Sequence, residues 1–166
     1  MTEPLIEQLR FTRSEWLRAL RGVTEEDGIR RLMPMNSISW IVGHLAWQEQ
    51  RNFVTRAQGS TLVPTLDTLV ANGAPATTPP LPEMRAAWLE ITRAADLWLG
   101  GLSAADLPAP LVGRGPRKTV GDAIQRVTYH YWFHIGEILA IRQVLGGTNL
   151  PEFVGNIDQR APYRPG

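Results

Sequence analysis

The sequence predicts an all-α fold in which four helices form one bundle. Four segments repeat apolar residues at spacings of three and four, which places those residues on one face of an α-helix. No segment has a convincing strand pattern, although residues 109–120 can hold a short extended piece. At 166 residues with 43% hydrophobic content, the chain is long enough for one full-sized core, so we expect a single domain over residues 1–166.

The first two predicted helices lie at about residues 4–21 and 36–58. The first is an ordinary amphipathic helix that Gly22 is expected to end. Its apolar side carries Leu5, Leu9, Thr12, Trp16 and Leu20. Either Asn36 or Ser37 can cap the second helix. Because the first half of the second helix is apolar nearly all round, we expect it to lie in the centre of the core or partly at a subunit contact.

The third predicted helix follows a long connection. Residues 59–80 are rich in glycine, proline and threonine, which is typical of a loop, with one short helical turn expected around residues 66–70. A connection of that length can travel the whole length of a bundle. The third helix is predicted at about residues 81–102, and its apolar seam is Leu81, Met84, Trp88, Ile91, Ala95, Trp98 and Leu102.

The fourth predicted helix, at about residues 119–146, has the clearest pattern. Thr119 and Asp122 form a capping-box spacing at its start, and a pair of glycines at 146–147 closes its end. Its seam is Val120, Ile124, Val127, Tyr131, His134, Ile138, Ile141 and Leu145. The tail at residues 150–166 contains three prolines, so we expect it to be extended.

Composition and charge exclude several classes of protein. The formal net charge is +1 with both signs interspersed, which argues against a nucleic-acid partner. The longest apolar runs are interrupted by histidines before the ~20 residues of a membrane span, so we expect no membrane segment. The absence of cysteine excludes disulfides, thiolate metal sites and a cysteine nucleophile. The opening residues lack the pattern of a secretory signal, and we therefore predict a soluble cytoplasmic protein.

The three histidines of the chain all lie in apolar segments. His130 and His134 are four residues apart on one helix face, where side chains lie about 5–6 Å from each other. His44, on another helix, can complete a set of three neutral ligands that suits zinc, nickel, iron or copper and leaves open coordination positions. The alternative is that each is a core or boundary histidine with one hydrogen-bonded nitrogen. Burial disfavours a charged imidazole, and one metal ion would satisfy all three rings, so the pattern favours a metal site.

Glycines and tryptophans accompany these histidines. Gly43 and Gly136 lie inside predicted helices, where glycine is unfavourable, so either they permit close helix packing or they are simply tolerated. Trp40 and Trp47 are seven residues apart on one side of the second helix. That side is our candidate for a subunit contact.

Two segments around the histidines are "NSISWIVGHLAWQEQ" in the second predicted helix and "HYWFHIGEI" in the fourth. Both resemble motifs of the DinB-like, or DinB/YfiT-like, superfamily of metal-dependent proteins. The resemblance covers roughly residues 23–145. It implies an up-down-down-up four-helix bundle, frequent homodimers, and a divalent metal, often nickel or zinc, held by His44, His130 and His134.

The resemblance also implies a range of activities. Members with known activity are thiol-dependent transferases and isomerases in which the metal holds the thiolate of a small cofactor such as mycothiol or bacillithiol. Others are described as hydrolases, in which a metal activates water. The remaining alternative is a metal-binding or small-molecule-binding stress protein without turnover. In each enzymatic case the partner is a small-molecule substrate.

Candidate catalytic residues lie close to the histidines in sequence. Glu137 stands where many relatives carry glutamine and can orient the imidazole of His134, or can be a solvent-facing carboxylate. Gln48 and Glu49 can line the site, and Tyr131 can donate a proton or be a core aromatic. Three cations before the fourth helix can attract an anionic substrate or belong to a solvated loop: Arg114, Arg117 and Lys118.

Overall fold

The computed structural model describes residues 3–113, 115 and 117–164. Within those residues the secondary structure is helical, with no β-strand, so the predicted all-α class is confirmed. An isolated antiparallel bridge joins Pro110 and Thr119, in the segment where a short extended piece was expected. No helix in this part of the chain combines the length and apolar character needed to cross a bilayer.

The helices begin and end close to the predicted residues, with one exception. In chain order they are α1 (Pro4–Ala19), α2 (Glu25–Ile29), α3 (Ile38–Glu49), a π-helical segment (Gln50–Arg56), α4 (Leu66–Leu69), α5 (Leu81–Leu99), a 3-10 turn (Ala104–Asp106), α6 (Val120–Val144) and α7 (Ile157–Arg160). The short helix α4 is the turn expected in the long connection. Neither α2 nor α7 was predicted, and α7 lies in the tail that was expected to be extended.

Local signals set the ends of the long helices. The Glu3 carboxylate accepts hydrogen bonds from the first free amides of α1, as Ser37 does at the start of α3. At the start of α6, the Thr119 hydroxyl accepts from the Asp122 amide, and the Asp122 carboxylate accepts from the Thr119 amide, both at 3.0 Å. This reciprocal pair is the predicted capping box, and it fixes where the longest helix begins.

Helix α3 lies in the centre of the molecule. It packs mainly on α5 and also contacts α6, while α1 packs mainly on α6. Every residue from Ile38 to Trp47 is buried. This stretch is apolar on nearly all sides, so it is stable only where other helices pack around it. Of the two positions expected for this helix, the centre of the core is the one observed. The up-down-down-up order of the helices stays a prediction.

The predicted second helix does not continue as an α-helix to residue 58. After Glu49 the chain forms a π-helical segment over Gln50–Arg56. Four residues of an α-helix make slightly more than one turn, whereas four residues of a helix with i→i+5 bonds make slightly less. Along the α-helix each step of four residues therefore rotates the side chain slightly one way about the helix axis, and along the π-helical segment it rotates slightly the other way. Four side chains spaced at intervals of four consequently stay on one side of the helix: His44, Gln48, Asn52 and Arg56.

Candidate metal centre

Helices α3 and α6 bring the three histidines together. His44 comes from α3, and His130 and His134 come from successive turns of α6. One possible ligand atom from each ring lies within 4.8 Å of the others. The ring of His44 meets those of His130 and His134 edge to face, with centroids 5.0 and 5.4 Å away. The sequence-predicted trio is therefore one cluster, close enough for one ion to bind after a small adjustment of the rings.

Each imidazole has its Nδ1 atom engaged by a hydrogen-bond acceptor. His44 Nδ1 lies 2.7 Å from the carbonyl oxygen of Val70, and His134 Nδ1 lies 2.7 Å from Glu137 Oε2. His130 Nδ1 contacts the side-chain oxygen of Gln48. A carbonyl, a carboxylate and an amide oxygen only accept hydrogen bonds, so we assign a proton to Nδ1 of each ring. This assignment leaves the Nε2 lone pair of every ring available to a ligand.

The surroundings of His44 and His130 favour their neutral forms. Burial lowers the pKa of His130 to about 3, with further lowering from His134 and His44. Burial also lowers the pKa of His44, although its hydrogen bond to Val70 opposes that effect. Neutral imidazoles are the form in which histidine binds a metal.

The donor set fits a divalent transition metal. His130 Nε2 and His134 Nε2 lie 2.9 Å apart, and in the assigned tautomers neither atom carries a proton. Two lone pairs at that distance repel each other unless a cation or a proton lies near both. Three imidazole nitrogens directed at one point suit zinc, nickel, iron or copper.

Two tryptophans of α3 enclose the ring of His44. Trp40 stacks on it at 4.8 Å between centroids and Trp47 at 5.4 Å, with interplanar angles of 16° and 24°. Trp40 is 5% exposed and Trp47 is 7% exposed. The expectation that these tryptophans form a subunit contact is therefore wrong, because both rings are buried within the chain. The homodimer stays a prediction, without these two tryptophans as its contact surface.

The loop after the π-helical segment orients His44. The Gln50 side chain holds this loop by donating to the Val63 carbonyl at 3.0 Å and accepting from the Val63 amide at 2.7 Å. Trp47 Nε1 donates to Asp67 Oδ1 at 2.8 Å. Together they place α4 so that the carbonyl of Val70 reaches His44. Sequence reasoning missed Val70, since its role belongs to a backbone oxygen and leaves no pattern in the side chains.

The two glycines have different surroundings. A Cβ atom at Gly43 would lie 2.5 Å from Met84 Sδ and 3.2 Å from both terminal methyl carbons of Val70. Close helix packing is therefore observed at Gly43. A Cβ atom at Gly136 would have no neighbour within 4 Å, so the helix simply tolerates a glycine at this position.

Two of the candidate catalytic residues lie away from the histidines. The Tyr131 hydroxyl donates to Glu49 at 2.8 Å and accepts from Trp88 Nε1 at 2.7 Å. Arg13 donates to both Glu49 oxygens, at 2.7 and 2.5 Å, and to Asp96 at 2.8 Å. Burial and the Glu49 carboxylate raise the pKa of Tyr131 well above its ordinary value. Of the two alternatives for Tyr131, a proton donor or a core aromatic, the structure supports the core aromatic. Glu49 belongs to the same buried network.

The candidates Gln48 and Glu137 do lie at the cluster. Gln48 lines a cavity beside it, while Glu137 is partly buried against His134. Of the two readings of Glu137, orientation of an imidazole is the one that its contact supports.

A cavity of about 800 Å³ opens beside two of the histidines. Most of the residues that line it have polar or charged side chains: His44, Trp47, Gln48, Arg51, Asn52, Arg56, Asn72, Arg117, Lys118, Asp122, Gln125, Arg126, Tyr129 and His130. Two of the three cations noted before α6, Arg117 and Lys118, therefore face this space. Arg114 lies outside the described residues.

Comparison with known proteins assigns the chain to a family. No curated protein matches the chain at a significant level. The model of the DinB superfamily matches residues 8–138, a span that contains all three histidines and the helices that carry them. The match covers well over half of the chain, and the family is associated with metal. The chain belongs to the DinB superfamily.

Proposed function

We propose that the chain is a cytoplasmic metal-dependent enzyme that uses a low-molecular-weight thiol, of the mycothiol or bacillithiol type, to transfer or isomerise a small electrophile. The observation that carries the proposal is the convergence of three imidazoles beside an open cavity. His44, His130 and His134 would hold the metal, which we expect to be nickel or zinc.

The residues around the histidines prepare them for this role. Val70, Gln48 and Glu137 fix the direction of each ring through its Nδ1–H group. Trp40 and Trp47 keep water from both faces of His44. A divalent metal held by three imidazoles keeps open positions and lowers the pKa of a thiol or water that binds it.

Two features favour an external thiol as the nucleophile. The chain contains no cysteine, so thiol chemistry here requires a thiol from a bound molecule. Among the described lining residues, the carboxylate is Asp122, and it is engaged in the cap of α6. Glu137 is engaged by His134. A carboxylate base near the attacking water would favour a hydrolase, and both of these described carboxylates are already engaged in other hydrogen bonds.

Metal analysis tests the first part of the proposal. Purified protein supplemented with nickel or zinc should retain about one equivalent by mass spectrometry, and His134→Ala should lose most of it while circular dichroism still shows the helices. Gln143→Ala, exposed on the same helix, is the matched control and should keep its metal. Wild-type protein that holds less than about half an equivalent would refute the metal site.

A thiol screen tests the reaction. Metal-loaded protein should conjugate a fluorogenic chlorobimane with at least one of mycothiol, bacillithiol and glutathione, and His134→Ala should not. Release of nitrophenol from a nitrophenyl ester without any thiol would indicate the hydrolase instead. Neither activity in metal-loaded protein would indicate a binding protein without turnover.

A further inference from the structure

Cationic side chains surround the cavity beside the histidines. The lining contains five of them, which we call the cationic wall: Arg51, Arg56, Arg117, Lys118 and Arg126. Among the lining residues that the structure describes, the opposing carboxylate is Asp122. The whole chain has a formal net charge of only +1. Positive charge is therefore concentrated at this one cavity.

Most of the cationic wall is not neutralised by the protein. Within residues 3–113, 115 and 117–164, the ion pairs at up to 4.0 Å do not include Arg51, Arg117, Lys118 or Arg126. Asp122 accepts hydrogen bonds from Thr119 as part of the helix cap. The charges of these four side chains are thus available to a ligand.

The protein holds two members of the cationic wall in place through the backbone. Arg56 donates to the carbonyl oxygens of Val112 and Leu111, at 2.9 and 2.8 Å, and is 5% exposed. The carbonyl of Lys118 accepts from the Leu111 amide at 2.9 Å. At Leu111 and Val112 this loop, for which a merely solvated segment was the alternative, is therefore held against the π-helical segment. These contacts set the positions of Arg56 and of the Lys118 backbone without any ligand.

Placing like charges together is unfavourable in the free protein. Burial, followed by the charges of Arg56, Arg126 and Arg51, lowers the pKa of Lys118 to about 8. Such repulsion is relieved by a bound anion, and a partly enclosed cavity strengthens that attraction relative to open solvent. The wall thus has the electrostatics of an anion site.

The cavity connects this wall to the histidines. The side of α3 and the π-helical segment that carries His44, Gln48, Asn52 and Arg56 forms one border of the cavity, from the candidate metal ligand to a wall cation. A volume of about 800 Å³ is in the range of sites for whole small molecules and is much larger than a lone anion needs. One ligand can reach both ends.

We propose that the cavity binds a small molecule carrying at least two carboxylate or phosphate charges, with the charges on the cationic wall and the reacting end at the histidines. This inference rests on the proposed function, because it describes the substrate or thiol cofactor of the same site. It adds a chemical class that the three histidines alone do not specify.

Calorimetric titration of the metal-loaded protein tests the proposal. Succinate and glycerol 3-phosphate are the anionic probes, and the uncharged diamide of succinate is the matched neutral probe. At least one anion should bind, more weakly as salt is raised, and the diamide should not. Binding of succinate alone assigns carboxylates, and binding of the phosphate ester alone assigns phosphate.

Charge variants locate the site. Arg51→Gln and Arg126→Gln should each weaken anion binding roughly 5- to 10-fold, because each removes one charged contact. Arg93→Gln is the control, since Arg93 is exposed on α5 and is not part of the lining. Absence of anion binding, equal binding of the diamide, or equal weakening by Arg93→Gln would overturn the proposal.

Metal content measured on the same samples separates this proposal from the proposed function. Stoichiometric metal without anion binding would refute the cationic wall as a ligand site and leave the metal centre standing. Anion binding that the wall variants weaken, in protein that retains no metal, would support the wall and refute the metal centre.

Discussion

The three histidines differ from ordinary buried histidines in what their second nitrogen meets. A core histidine commonly forms a hydrogen bond through one nitrogen, whereas here the second nitrogens of His130 and His134 also face each other, 2.9 Å apart. Here each Nδ1–H group is engaged by an acceptor from a different place in the chain, namely Val70, Gln48 or Glu137. The arrangement makes each ring a better metal ligand, because an acceptor on one nitrogen increases the basicity of the other.

Removal of one of these acceptors should weaken metal binding without removing a ligand. Glu137→Ala should lower the affinity for zinc about 10- to 100-fold, since His134 loses the contact that fixes its tautomer and direction. Glu137→Gln should have a smaller effect, because an amide oxygen can accept the same hydrogen bond. The affinities can be measured by competition with a chromogenic chelator.

A control separates loss of orientation from a general loss of negative charge. Glu90 is exposed on α5, and Glu90→Ala removes the same charge far from His134. This variant should bind zinc as the wild type does. An unchanged affinity in Glu137→Ala would show that the carboxylate is only a neighbour of the ring.

At the scale of the elements, the contact between α3, α4 and α5 determines where His44 lies. Gly43 sits where α3 meets Met84 of α5 and Val70 at the end of α4. Val70 also supplies the carbonyl that His44 requires. A substitution that separates these elements should therefore affect stability and metal binding together.

Gly43→Ala should lower the free energy of unfolding by about 1–3 kcal/mol, because the new methyl group crowds Met84 and both Val70 methyl carbons. The same variant should bind zinc more weakly, since Val70 must move. Gly136→Ala is the matched control in α6: its methyl group meets open space, and it should stabilise the helix by up to about 1 kcal/mol. Denaturant unfolding and metal titration measure both effects, and equal stability of the two variants would contradict the packing argument.

Local sequence patterns account for most of the helices and for the histidine cluster. The seams of α1, α5 and α6 are periodic, and His130 and His134 are neighbours by helix geometry alone. The π-helical segment could not be predicted, because a change in helix type leaves no clear periodicity over a few residues. Contacts such as that of Val70 with His44, 26 residues away in the chain, depend on tertiary packing.

At the scale of the whole molecule, two polar clusters in the bundle have different properties. In the network of Arg13, Glu49, Tyr131 and Trp88, every hydrogen bond named above joins a donor to an acceptor inside the protein. It joins α1, α3, α5 and α6 and requires no ligand. The histidine cluster instead directs acceptor atoms at one another and borders a cavity. The contrast separates a polar core that supports the fold from a cluster that is suited to binding.

The cationic wall should give anion binding a pH dependence that Lys118 controls. Burial and the charges of Arg56, Arg126 and Arg51 lower the pKa of Lys118 to about 8, and Asp122 opposes this shift. Below that pH the amine is charged, and above it the charge is lost while the arginines stay protonated. The affinity for succinate, whose carboxylates stay largely ionised over this range, should therefore be nearly constant at lower pH and fall as pH rises above about 8. Lys118→Arg should keep the affinity and remove this decline, because arginine does not titrate in this range. Calorimetric titrations from pH 6.5 to about 9.5 measure both profiles, and the same decline in Lys118→Arg would assign the dependence to another group.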